Sequence, residues 1–171
     1  MYRRRNSLRL KEFDYKKEGP YFVTISCREK KSFFENKPLK QILVTNMEKL
    51  KNRFSITVNA YVVMPDHLHL IVTFPENNSF SLSRIIQVFK SLVTYDFRMK
   101  GNKKGIWQRG FYEHVIRNEK DFLEKMNYIL NNPLALGIKK RDGEKRADIK
   151  SAPTRVGRNH VGVELVSTQK K

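Results

Sequence analysis

Hydrophobic positions along the chain switch between a period of two and a period of three to four, and the switches mark out the elements. Tyr21 to Cys27 is aromatic and β-branched and follows Gly19 and Pro20, which predicts a strand. Leu39, Ile42, Leu43, Met47 and Leu50 then recur at helical spacing, which predicts an amphipathic helix over Leu39 to Leu50. β-branched and aromatic character returns from Ile56 to Val63, and a Met-Pro-Asp turn leads into a further strand from His67 to Phe74. So short a turn favours an antiparallel pair. Pro-Glu-Asn-Asn-Ser at 75–79 ends it, and a helix is expected over Leu82 to Met99 with Ile85, Ile86, Phe89, Leu92, Val93 and Phe97 on one side. After a Gly-Asn-Lys-Lys-Gly loop, Phe111 to Ile116 reads as a short strand. Glu119 to Asn132 reads as a helix that stops at Pro133, because proline removes a donor and discourages helix in its predecessor.

Strand, helix, strand, strand, helix, strand, helix is the order of an α+β, ferredoxin-like split βαβ fold, with a central antiparallel sheet and one extra C-terminal helix. A chain of 171 residues is enough for one domain with tails. The domain is expected over residues 1–142, with 1–18 as a basic arm. From about Arg141 the composition shifts to Asp, Gly, Lys, Arg, Ser, Pro and Thr, so 143–171 is expected to be a flexible tail with at most one short edge strand.

Charge narrows the partners. Lysine and arginine number 35 against 17 acidic residues, a formal charge of +18, in a chain that still carries eleven phenylalanines and seven tyrosines. A foldable sequence this basic predicts a polyanionic partner, nucleic acid before a membrane surface. No apolar run approaches the roughly 18 residues of a membrane span, and the basic N-terminus lacks the apolar stretch of a secretory signal. A cytoplasmic, nucleoid-associated protein is expected. The lone cysteine, Cys27, lies in a strand-like run and reads as a small buried residue rather than a nucleophile.

Two short segments carry chemistry. In Met64-Pro65-Asp66-His67-Leu68-His69 the histidines are two apart in a strand, so both imidazoles project from one face while Leu68 and Leu70 pack behind it. That spacing suits a divalent metal, although two histidines on a polar strand face are commonly surface residues. Tyr128 and Asn132, four apart on the last helix, share a face and can point at one spot. The bland alternative is a tyrosine packed on the core and an asparagine preparing the helix end.

Four strings in order, YFVTISCREKKSFF, VNAYVVMPDHLHLIVTF, IWQRGFYEHVIRNEKDF and NYILNNP, give the chain a resemblance to the REP-associated tyrosine transposases, a branch of the single-tyrosine HUH transposases. The resemblance spans roughly residues 15–140. It implies His67 and His69 as metal ligands, Asn132 as a third ligand and Tyr128 as the nucleophile. It also implies Mg²⁺ or Mn²⁺, where imidazole ligands alone would equally allow Zn²⁺. The expected activity is that of a metal-dependent single-strand DNA endonuclease and strand-transferase working through a 5′-phosphotyrosine on repeat or hairpin DNA. The close family favours a monomer, and homodimers occur among wider relatives.

Other residues carry secondary expectations. Trp107, Arg109 and Arg117 flank an aromatic and basic stretch suited to stacking bases and holding phosphates, with core anchoring of Trp107 the equal alternative. Arg3, Arg4 and Arg5 form an arm expected to touch phosphates. His114 is expected to be structural or DNA-contacting rather than a metal ligand. The rival from another class is a non-catalytic single-stranded nucleic-acid binder, since a ferredoxin-like sheet also builds RNA-recognition modules. An HUH enzyme that initiates replication would share the chemistry.

Overall fold

Strand β1 (Gly19–Ser26) lies inside an antiparallel sheet whose spatial order is β4-β1-β3-β2-β5. The other elements are α1 (Lys37–Phe54), β2 (Thr57–Val63), β3 (His67–Phe74), α2 (Leu82–Met99), β4 (Tyr112–Val115), α3 (Glu119–Ala135) and β5 (Val161–Val163). The computed structural model describes residues 17–102, 105–135 and 161–163, with 133–135 and 161–163 described as backbone alone. The first four strands are the expected split βαβ sheet. In the tail, Val161–Val163 pairs with Ala60–Val62 as a short edge strand. The rest of the expected tail and residues 1–16 of the basic arm lie outside the described residues.

Local chemistry explains the helix limits. Asn36 caps α1 by accepting from the Leu39 N–H at 3.0 Å, and Pro38 suits the first turn, so α1 starts two residues earlier than the hydrophobic pattern alone marks. It ends at Ser55, which takes a left-handed conformation with φ 51°. Ser81 caps α2 through the Arg84 N–H, and Asn118 accepts from the Asp121 N–H at the start of α3. The expectation that α3 stops before Pro133 is corrected, since the helix runs to Ala135. Proline's fixed φ is itself helical, so in a final turn the cost is confined to the missing donor and the crowding of the carbonyl four residues back.

The two faces of the sheet bury different things. Tyr21, Val23 and Ile25 of β1 and Leu68, Leu70, Val72 and Phe74 of β3 point toward α1 and α2 and form the larger core with Leu43, Met47, Ile85 and Phe89. Phe22 and Ile71 point the other way, into a smaller cluster with Ala60, Val62, Met64, Met126 and Ile129 that docks α3. The β2–β3 register shifts between Val58 and Ala60. That irregularity moves Ala60 and Val62 to the α3 face, where strict alternation from Val58 would have left them with the larger core.

Because the α3 cluster is small, its loss is felt first by α3. Ile129 is fully buried there. Ile129→Ala is expected to cost about 2–5 kcal/mol if α3 unfolds with the domain. Hydrogen exchange should show faster exchange in α3 than in α1 and α2; equal acceleration throughout would show one cooperative core.

Candidate active site

The Met-Pro-Asp turn that aims the histidines is held by its neighbours. The Cys27 N–H donates to the Asp66 carbonyl at 2.7 Å, the Phe34 N–H to the Pro65 carbonyl at 2.9 Å, and the Met64 N–H to the His67 carbonyl at 2.8 Å. Strand β3 therefore enters the sheet in one register, Ser26 opposite His67 and Thr24 opposite His69. Both imidazoles face α3, while Leu68 and Leu70 are buried on the other side as the alternation predicts.

The imidazoles converge. Their Nε2 atoms stand 3.0 Å apart, and each ring's Nδ1 is occupied from outside, His67 Nδ1 donating to Asp66 Oδ1 at 2.6 Å and His69 Nδ1 lying 2.8 Å from Thr24 Oγ1. With Nδ1–H donating outward, each neutral ring turns its Nε2 lone pair toward the shared point. His69 is buried to 5 % exposure, and burial, then the neighbouring His67, push its pKa down to about 4. It is neutral near pH 7 and so able to act as a ligand.

This donor set fits a divalent cation. Two metal–nitrogen bonds of about 2.1 Å meeting near a right angle place the nitrogens roughly 3.0 Å apart, the separation seen between the two Nε2 atoms. Oriented imidazoles with a carboxylate and a hydroxyl behind them are the outer partners that metal sites use. Among the described residues no group of three or more His, Cys, Asp or Glu side chains gathers at this point. Asn132 lies one turn after Tyr128 on α3, its amide nitrogen 3.3 Å from the Tyr128 carbonyl.

Tyr128 stands over this point. Its hydroxyl is 3.4 Å from His69 Nε2, its ring meets His69 and Phe22 edge-on, and half of the residue is exposed. The side chain is thus steadied by two rings while its oxygen stays open to a substrate. At the other end of this face, His114 bonds both carboxylate oxygens of Asp121 at 2.8 and 3.0 Å. That pair ties β4 to the first turn of α3, a structural task for His114. Burial alone would raise the Asp121 carboxyl, but the bonds from His114 and the Arg117 N–H outweigh it and hold its pKa below the ordinary value.

The remaining candidates are dispersed. Trp107 lies in the α1/α2 layer, its ring against Phe34 and Phe89 and its indole N–H donating to the Lys90 carbonyl at 3.0 Å. Arg109 is exposed before β4, and Arg117 is exposed between β4 and α3. Arg3, Arg4 and Arg5 lie outside the described residues. Cys27 is fully buried, and burial together with the Asp66 charge pushes its thiol up to about 12, which suits a structural residue. Thr24 is the site residue that sequence reasoning missed; nothing marks it within its own strand, and its role appears with the β1–β3 register. Asp66 was visible as a turn residue, not as the partner of His67.

Comparison with known proteins identifies the family. The IS200-like transposase family matches residues 16–132. A REP-associated tyrosine transposase of Escherichia coli K12 is 34 % identical over 130 residues, covering 72 % of this chain and 71 % of the relative. An uncharacterised protein of Haemophilus influenzae is 31 % identical over 159 residues, covering 76 % of this chain and 88 % of that one. Among solved structures, a REP-associated tyrosine transposase bound to a REP hairpin superposes with a TM-score of 0.64 at 32 % identity, covering 77 % of this chain and 76 % of the other. A family match over most of the described domain, with sequence relatives and a shared fold behind it, places this chain in the IS200-like transposase family.

Proposed function

We propose that this chain is a metal-dependent, single-strand DNA endonuclease and strand-transferase that acts on repeat or hairpin DNA through a 5′-phosphotyrosine at Tyr128. The observation that carries the reading is the exposed Tyr128 hydroxyl 3.4 Å from a nitrogen of the converging His67–His69 pair. The hairpin preference rests on the relative whose structure holds a REP hairpin.

Bound by His67 and His69 with Asn132, Mg²⁺ or Mn²⁺ would supply polarisation of the scissile phosphate and offset its growing charge. The chain's own residues do the rest. Tyr128 Oη attacks phosphorus, the bond to the 3′ oxygen breaks, and that oxygen takes up a proton to become a free 3′-hydroxyl. The phenol proton passes to solvent. Phe22 and His69 hold the tyrosine ring in place for the attack. Thr24 and Asp66 keep the imidazoles in register. The phosphotyrosine conserves the bond energy, so a 3′-hydroxyl can reverse the step and join DNA without ATP. Tyr128 meets the histidines of its own chain, which supports a monomer with a complete site.

Incubation with single-stranded hairpin DNA and Mn²⁺, followed by a denaturing gel, tests the reading. Tyr128→Phe should stay folded to within about 0.5 kcal/mol, because the residue is half exposed, and should form no covalent adduct. If it still yields a protein-linked 5′ end, Tyr128 is not the nucleophile and Tyr112, opposite Thr24 in the sheet, is next to be tested. If neither protein cuts with any divalent ion, the non-catalytic binder takes the lead.

His67→Ala and His69→Ala are each expected to abolish cleavage while leaving most DNA affinity, and a chelator should do the same to the wild type. Cleavage at the wild-type rate by both variants would remove the metal assignment. Thr24→Val keeps the shape but withdraws the oxygen beside His69 Nδ1. Metal affinity should fall about 10–100-fold, read as a higher Mn²⁺ requirement for adduct formation; an unchanged requirement would reduce Thr24 to packing.

A further inference from the structure

The Met-Pro-Asp turn that aims the histidines has a neighbour with an unusual backbone. Glu29 and Lys30, in the turn that follows β1, take left-handed conformations one after the other, with φ 56° and 54°. Ser55 is the other non-glycine residue of positive φ among the described ones, and it ends α1, where that conformation is usual. Glu29 and Lys30 end no α-helix. Two successive side chains held where Cβ is crowded mark a turn whose shape is kept against a backbone cost, and such turns gather at sites that bind or react.

The turn is fastened at both ends. The Arg28 N–H donates to the Ile106 carbonyl at 2.7 Å, and the Lys31 N–H to the Arg28 carbonyl at 3.2 Å. The Glu29 carboxylate takes both flanking cations, Arg28 Nε at 3.0 Å and Lys31 Nζ at 2.6 Å. Lys30 is the cation of the turn that Glu29 does not take, and it is directed to the site. Its Nζ is 3.6 Å from Asp66 Oδ2, while the other oxygen of that carboxylate accepts from His67 Nδ1 at 2.6 Å. Burial first, then His67, depress the pKa of His69, and the charge of Lys30 adds to the same effect, so the ammonium is within electrostatic reach of the second imidazole as well.

Asp66 does not consume this ammonium. At 3.6 Å the pair lies beyond hydrogen-bond length and the Lys30 side chain is 70 % exposed, so little opposes its transfer to another anion. Asp66, by contrast, is bound to His67 and sets a negative charge beside the point where a phosphate must approach the imidazoles. A cation on the same carboxylate offsets that repulsion. Because Asp66 stands between Lys30 and His67, the phosphate within reach of Lys30 is the neighbour of the one at the imidazoles.

We propose that Lys30 grips the backbone phosphate next to the scissile one and so sets the register of the single strand over His67 and His69. The proposal rests on the DNA-cleaving reading for the identity of the anion, and it deepens that reading by naming the residue that positions the strand. Such positioning matters because a shift of about 1 Å from in-line geometry slows a reaction on the order of 10²-fold.

The test measures binding of the full chain without divalent metal, by fluorescence anisotropy, to single-stranded oligonucleotides that carry one neutral methylphosphonate at successive positions. Lys30→Met keeps the stem and removes the charge. On unmodified DNA it should shrink the slope of log affinity against log salt by about 0.7, the share of one phosphate on a single strand, and weaken binding about fivefold at 0.1 M salt. Lys30→Arg should keep the wild-type slope. One methylphosphonate position should cost the wild type affinity and cost Lys30→Met nothing further, while Lys31→Met, the same charge removed one residue on, should still pay that cost. With Mn²⁺, Lys30→Met should form adduct more slowly at an unchanged Mn²⁺ requirement. An unchanged salt slope, or a methylphosphonate profile identical to that of the wild type, overturns the proposal, and a raised Mn²⁺ requirement at unchanged slope makes Lys30 a brace for Asp66 instead. Because nothing is cut in the binding measurements, their outcome is independent of whether Tyr128 forms an adduct.

Discussion

Strand β3 is packed on both faces, and the rest of the molecule is arranged around that constraint. Its alternate residues Leu68, Leu70, Val72 and Phe74 complete the core under α1 and α2, while His67, His69 and Ile71 face α3. A slip of one residue against β1 would bury the imidazoles among leucines and turn the leucines toward the site, so the register is fixed by the same burial that stabilises the sheet. The backbone bonds from Cys27 and Phe34 to the turn before β3 fix the same register from its start.

Position and protonation at the site follow from this packing. His69 lies deep enough that burial keeps it neutral, and the register brings Thr24 opposite it to orient its ring. Tyr128 instead rides on a helix docked by a small cluster and is steadied by Phe22, with its hydroxyl outside the cluster. The two imidazoles are thus held in place and the Tyr128 hydroxyl left open, the division that the proposed reaction on a polymeric substrate would use. His114 and Asp121 hold the other end of α3 to β4, so the helix carrying Tyr128 is fixed to the sheet by polar contact as well as by apolar burial.

The large basic excess of the sequence is not spread evenly over function. Some of it is neutralised by ion pairs on and between the helices, and some is used internally, as where Lys90 ties α2 to the segment before β4. Among the described residues, part of what remains without an acidic partner lies on the outer stripe of α2, as Arg84 and Arg98 do, one layer away from the histidines.

Much of this was legible from the chain. The limits of β3 and α2 agree with the expected ones because their hydrophobic periods are uninterrupted, and the pairing of His67 with His69 follows from two-residue spacing within one strand. The sequence also carried the charge and the strand order, and with them the ferredoxin-like sheet. It did not carry the extension of α3 past Pro133, where a terminal turn absorbs one missing donor. Nor did it carry the meeting of Tyr128 with His69 across 59 positions, the placing of Thr24 beside His69 across 45, or the removal of Trp107 to the other layer. Spacing along one element is a local property of the backbone, readable from neighbouring residues. Convergence between elements depends on which face each strand buries and in which register, and that was decided by the two cores packing together.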